Sequence, residues 1–368
     1  MKKTVSGGDW LVPSIRLRRA ARNAFATGLA ASALFASGCA STPPASPIAD
    51  FRDRVCYGRR LEPTGNAVLH GAGQSATAFA NYVNAVGRNH TPALFMTYIN
   101  LVQSEESIRI RLARLDEELM EHDGTVIPQI GLALEWGGRS LTAEFASGAY
   151  DQQIDAFARA LKQRNRPAFV RIGFECNGRW NHYEPQSYVA AFRHVAARIR
   201  ALCPSQVAIV WCYASDVRNL DNMMDWYPGD AWVDWWGIDL FSVEHFTNPD
   251  TPTFMRLARE HRFPVMICES TPRYVGVLKG AESWNEWFVP FFDFIAGNEN
   301  VKAFCYINWD WGLHPEWKDW GDCRIERNRP LQGLYRRALN HPFFVHATDT
   351  EALRQLPDPS PAAPTPKN

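Results

Sequence analysis

Two glutamates close apolar runs in this chain. Phe169-Val170-Arg171-Ile172-Gly173-Phe174 leads to Glu175, with Asn177-Gly178 and Trp180 just beyond. Pro264-Val265-Met266-Ile267-Cys268 leads to Glu269 in the same way. Short apolar runs bounded by turn residues read as buried strands. Parallel strands that alternate with helices present their reactive groups at their carboxyl ends. Two carboxyl groups roughly 5–5.5 Å apart there can cut a glycosidic bond with retention. One must hold a proton and the other a charge, which burial and neighbouring cations set. Glu175 is assigned as acid/base and Glu269 as nucleophile, an order that spacing alone does not dictate.

The elements that must position them recur along the chain. Strand-like runs fall at 67–70, 93–98, 126–130 (running on to Glu135 and Trp136), 169–174, 207–211, 233–239, 265–268 and 301–307. Between them Ile108, Leu112, Leu115 and Leu119 lie at helical spacing after a Ser104 cap, with Gly124 as the stop. Ile154, Phe157, Ala158 and Leu161 repeat the pattern, as do Tyr188, Phe192, Val195 and Ile199 after Pro185. Eight such units predict an α/β fold, a (β/α)8 TIM barrel, over residues 56–347. The rival doubly wound sheet wants a Gly-rich phosphate turn after its first strand. Gly71-Ala72-Gly73 is followed by Gln74-Ser75-Ala76 and lacks it.

Composition narrows the function classes. The 368 residues carry 39 basic and 39 acidic side chains, with no basic stripe in the body. That excludes nucleic acid and polyanions as partners. Fourteen Trp residues exceed what a core needs and suit the flat faces of sugar rings. Arg16 to Arg22 and the Ala-rich stretch that follows have the form of an export signal over residues 1–38. Ser37-Gly38-Cys39 resembles a bacterial lipobox, which implies cleavage before Cys39, lipidation of its thiol and a cell-envelope location. Ala40 in the next position implies the outer membrane. Residues 39–55 read as a Pro-rich tether and 348–368 as a disordered Pro-rich tail. Cys212, Cys268 and Cys305 sit in apolar runs and read as small core residues. No zinc spacing occurs, no His-x-His motif for a metal-dependent barrel hydrolase exists, and neither metal nor cofactor is expected. The partner expected is a polysaccharide or oligosaccharide, the membrane is met through the lipid anchor alone, and a monomer is expected.

Further side chains compete for places at the rim. Arg171 points either to the barrel floor or toward Glu269. Trp136, Trp211, Trp309 and Trp311 follow strands three, five and eight and are either sugar platforms or rim packing. Tyr213 is a further binding candidate. His182 and Tyr183 follow Trp180 and either contact substrate or form surface loop. Asp216 and Asp239 are candidate acceptors for sugar hydroxyls but fit capping and barrel-floor hydrogen bonds better, and His70 reads as core or rim. Residues 310–317 form a long last loop able to wall one side of a cleft.

The Glu-x-Asn-Gly-x-Trp stretch at 175–180 resembles the acid/base segment of glycoside hydrolase family 26, the β-mannanase family of clan A. Trp226-Tyr227-Pro228-Gly229-Asp230, Val233 to Asp239 and Gly73-Gln74-Ser75 are similar to further family segments. The resemblance covers most of residues 60–340. It implies a (β/α)8 barrel, no cofactor, retention of configuration and cleavage of a mannan-type or related β-glycan. It implies Glu175 as acid/base on strand four and Glu269 as nucleophile on strand seven, with Asn177 and Trp180 lining the cleft. Two positions depart from the pattern. Phe174 stands where the family has His, and Phe241 where it has a Tyr that contacts the nucleophile. Loss of both polar groups points to a divergent substrate. The rival without chemistry is a surface glycan-binding lipoprotein on the same barrel, although a binder needs neither glutamate.

Overall fold

The computed structural model describes residues 51–120, 125–215 and 222–359. The expected signal, Cys39, most of the tether, Gly124, Asp216 and the end of the tail lie outside them. Eight parallel strands form the centre: β1 Val68–Gly73, β2 Leu94–Ile99, β3 Ile127–Leu132, β4 Ala168–Ile172, β5 Val207–Ala214, β6 Trp235–Leu240, β7 Val265–Ser270 and β8 Val301–Ile307. Each pairs with the next, and β8 pairs with β1 from Leu69↔Ala303 to Gly73↔Ile307, which closes the sheet. The closed eight-stranded barrel is the fold that the alternating pattern predicts.

Helices α1 Ala76–Val86, α2 Glu105–Met120, α3 Asp151–Arg164, α4 Pro185–Leu202, α5 Asp250–Glu260, α6 Val289–Gly297 and α7 Arg329–Leu339 pack outside. The apolar spacings do their expected work. Ile108, Leu112 and Leu115 of α2 are buried, as are Ile154, Phe157 and Leu161 of α3 and Tyr188, Phe192 and Val195 of α4. Ser104 Oγ accepts from Ser107 N at 3.2 Å and so caps α2.

Strand alternation sorts side chains into two layers. Leu69, Leu94, Met96, Phe169, Val210, Cys212, Met266, Cys268, Ala303 and Cys305 fill the barrel interior. Val68, Phe95, Ile130, Val170, Trp211, Tyr213, Trp236 and Phe304 meet the helices. Tryptophan is used here more as core than the composition suggests. Trp211, Trp236, Trp284 and Trp287 are fully buried in the wide gap between barrel and helices, which indoles fill, and Trp235 is fully buried inside the barrel against Phe169.

Three expected boundaries move. The third strand stops at Leu132, and Glu135–Trp136 pairs instead with Arg139–Ser140 as a small antiparallel hairpin. Packing begins before residue 56: Phe51 stacks on His341, and Arg54 donates to the Ile295 and Asn298 carbonyls at 2.7 and 2.6 Å. It also runs past residue 347. Thr350–Arg354 is helical, Leu353 is buried, and Asp358 pairs with the buried Arg60 at 3.1 Å. A tail rich in Pro stays ordered there because one apolar and one ionic anchor hold it.

His70 lies in the outer layer and is core, one of the two roles expected for it. Its Nε2 is 2.7 Å from Tyr82 Oη, and its Nδ1 is 3.0 Å from His346 Nδ1. Burial, with His90 nearby, pushes His346 down to about 4, and burial lowers His70 as well. From pH 6.5 down to about 4 the unfolded chain takes up a proton at residue 346 that the folded chain refuses, so stability falls as pH falls through that window. Urea denaturation from pH 7.5 to 4.5 is expected to show wild type losing on the order of 2 kcal/mol more than His346→Asn. Equal losses would remove His346 as the cause.

Candidate active site

Glu269 reaches the cleft through an irregularity. Ile238 pairs with Ile267 and Asp239 with Glu269, while on the other side Phe304 pairs with Ile267 and Tyr306 with Ser270. Both neighbours therefore leave one extra residue in β7 around Cys268. Such a bulge re-aims the side chain that follows it. Cys268 already faces the interior, and Glu269 turns inward beside it instead of outward.

There Glu269 Oε1 accepts from Arg171 Nη1 at 2.8 Å and from Tyr98 Oη at 2.5 Å. Arg171 is fully buried, with Asp239 Oδ2 at 3.6 Å and Cys212 Sγ at 3.8 Å from the same nitrogen. Burial works against its charge, but Glu269, Tyr98 and Asp239 outweigh it and hold the guanidinium protonated. The 2.8 Å contact goes to Glu269, and Asp239 lies beyond hydrogen-bond range. Full burial, then Cys212 and the Glu269 charge, push the Asp239 carboxyl well above its usual range. One guanidinium thus serves one carboxylate, with Asp239 beside them favouring its neutral form.

Glu175 is delivered by a sharp turn after β4. Gly173 has φ 56°, and a Cβ there would meet Tyr188 Cε2 at 2.7 Å and Leu134 Cδ1 at 2.9 Å, so the position requires glycine. Glu175 itself sits at φ 49°, a backbone region that non-glycine residues avoid and that functional loops retain. Its carboxyl accepts from Trp180 Nε1 at 2.7 Å. Asn181 Nδ2 ties the loop by donating to the Phe174 and Glu175 carbonyls, each at 3.0 Å. Both Glu175 and Glu269 act on the buried Asp239 charge, so the two strand ends converge on one region.

The other expected site residues divide. Trp180 meets Glu175, and Arg171 turns to Glu269 rather than to the floor. Being fully buried beneath that carboxylate, Arg171 has no surface for substrate, and Asp239, 1% exposed, has almost none. Asn177 is also corrected. Its Nδ2 donates to the Ala214 carbonyl at 2.9 Å and its Oδ1 accepts from Ala214 N at 2.8 Å, so it clamps the loop to β5. Tyr213 faces the helices, near Phe254, with its hydroxyl 3.3 Å from Asp250, because strand alternation turns it away from Cys212. Trp211 is outer core for the same reason.

Trp136 stands 54% exposed on the hairpin, and His182 is exposed at a left-handed φ of 55°. Tyr183 is buried, and its hydroxyl oxygen accepts from the Leu134 N–H at 2.8 Å. Trp309 is half-buried, stacked on His314 with centroids 5.1 Å apart. Trp311 and Trp320 continue an aromatic wall to Phe241, at centroid distances of 4.7 and 5.3 Å. Tyr98 and Asn181 escaped the sequence reading. Period-two alternation from Leu94 and Met96 was the signal that could have placed Tyr98 inside.

Among the described residues, Cys212, Asp239 and Cys268 come close enough for a metal ion, their ligand atoms lying within 4.8 Å of one another. Arg171 sits against that group, and its positive charge disfavours a cation there.

Known proteins share this architecture. The sequence model of glycosyl hydrolase family 26 matches residues 144–300. A beta-1,3-xylanase of a Vibrio species is 28% identical, covering 83% of this chain and 71% of that protein. A beta-1,3-xylanase of an Alcaligenes species is 26% identical, covering 77% and 66%. The chain therefore spans about two thirds or a little more of those relatives' lengths. A family 26 beta-mannanase from Bacteroides ovatus superposes with a TM-score of 0.57 at 13% identity, covering 79% of this chain and 93% of that one. A modular endo-beta-1,4-mannanase from Cellulomonas fimi gives 0.60 at 16%, covering 83% and 76%. The matched segment and these relatives make this chain a glycoside hydrolase similar to family 26, and the closed barrel is the fold of the superposed mannanases.

Proposed function

We propose that this chain cleaves a β-linked xylan-type glycan by retaining double displacement, with Glu269 as nucleophile and Glu175 as acid/base. The observation that carries the roles is the placement of the two carboxyls. The β7 bulge turns Glu269 into the barrel mouth, where Arg171 and Tyr98 both hold Oε1. Glu175 stands on the turn after β4, oriented by the indole N–H of Trp180.

In the first step Glu269 attacks the anomeric carbon, and the glycosidic bond breaks as Glu175 gives its proton to the leaving oxygen. Water then enters, Glu175 takes its proton, and the glycosyl ester is released with retention.

The substrate argument starts from the two phenylalanines. Phe174 packs on Tyr98 with centroids 5.0 Å apart, and Phe241 packs on Trp320. Apolar rings at these two positions offer no hydrogen bond to an exocyclic hexose hydroxyl, and a hydroxyl left without a partner is costly. A pentose has no such group. The similarity to two beta-1,3-xylanases over most of the chain supports the same choice, and β-1,3-xylan ranks ahead of mannan. Reducing-sugar release from β-1,3-xylan is expected to exceed that from β-1,4-xylan and β-1,4-mannan by at least roughly tenfold. Faster release from mannan would overturn the substrate, and binding without release from any glycan would overturn the hydrolase.

A further inference from the structure

We infer that Tyr98 is the positioning residue for the Glu269 nucleophile, in place of the phenol that position 241 lacks here. The inference rests on the proposed role of Glu269. Tyr98 comes from β2, and its hydroxyl donates to Glu269 Oε1, the oxygen that Arg171 also holds. With both donors on Oε1, Oε2 is the oxygen that faces the anomeric carbon. Burial and then the Glu269 charge push the Tyr98 phenol well above its usual range, so it stays a donor.

When Oε2 forms the ester to the sugar, Oε1 becomes the ester carbonyl oxygen and keeps its hydrogen bond from Tyr98. No proton moves. The contact steadies the carboxylate before attack and again as the ester breaks.

The surroundings are shaped for this ring. A Cβ at Gly131 would lie 2.6 Å from Tyr98 Cδ1, 2.9 Å from its Cε1 and 3.1 Å from Phe174 Cδ1. The absent side chain at β3 is what lets the phenol cross the barrel mouth to β7. Arg171 lies 5.5 Å from the Tyr98 ring centroid and 5.1 Å from that of Phe174, so one cation braces both rings.

Two variants test the idea. Tyr98→Phe removes the hydroxyl and keeps the ring, while Gly131→Ala keeps the hydroxyl and displaces the ring. Both are expected to lower kcat about 10- to 100-fold with KM changed less than about threefold, because the carboxylate loses a donor that steadies it during attack. Melting curves by circular dichroism establish that each variant is folded. A folded Tyr98→Phe protein with wild-type kcat overturns the inference. So does Gly131→Ala with wild-type kcat, since the ring cannot then be where it matters. Failure of the underlying reading looks different: Glu269→Gln would itself remain active.

Discussion

Glu269→Ala is expected to lower kcat/KM by at least roughly 10⁴-fold on every substrate, because it removes the group proposed to attack the anomeric carbon. Glu175→Ala behaves differently. Loss of general acid help costs about 10²–10⁴-fold with a natural sugar leaving group. It costs far less in the first step with an activated aryl glycoside, whose leaving group needs no proton. The glycosyl ester then accumulates, since no base activates water. Azide, small enough for the space left by the missing carboxyl, is expected to rescue Glu175→Ala and to yield a β-glycosyl azide. In Glu269→Ala the same anion attacks directly and yields the α anomer. Proton NMR of the anomeric signal separates them. An α product from Glu175→Ala would exchange the two roles, and no rescue in either variant with undiminished turnover would remove both residues from catalysis.

Arg171→Met carries the second large effect, and it appears in stability as well as rate. The guanidinium is fully buried, and its removal takes away the cation that meets Glu269 at 2.8 Å. Breaking one partner out of a buried pair costs about 3–5 kcal/mol. Urea denaturation should show a loss of that size, together with a fall in kcat. Asp239→Asn provides the contrast. The folded carboxyl, raised by burial, keeps a proton that the unfolded one releases above about pH 3.9, so its contribution to stability falls as pH rises beyond that value. An amide never ionises, and Asp239→Asn is expected to be neutral or stabilising by up to about 1 kcal/mol at pH 7. A loss as large as that of Arg171→Met would show that Asp239 is ionised and that Arg171 serves both carboxyls equally.

Which parts of the site were legible depended on local pattern. Glu175 and Glu269 close apolar runs, so their place at strand ends followed from the chain alone. The helix faces followed from 3.6-residue spacing, and burial of Ile154, Phe157 and Leu161 matches it. Tyr213 and Asn177 were misplaced for a shared reason. Both are polar residues near a strand end, and only the direction of the strand, set by its neighbours, turns Tyr213 toward α5 and Asn177 onto Ala214. Trp136 left its strand because Gly137 and Gly138 both take positive φ and fold the chain back on itself.

Composition, alternation and two strand-end acids by themselves determined the barrel and the carboxyl pair, since each is a property of neighbours in the chain. Only the tertiary structure decided how those acids are tuned. The β7 bulge that aims Glu269, the Tyr98 phenol that reaches it from β2 and the Arg171 guanidinium that serves it, with Asp239 alongside, all join strands far apart in sequence. Hydrogen bonds of 2.5–2.8 Å depend on ring closure and register, which one strand read alone does not contain.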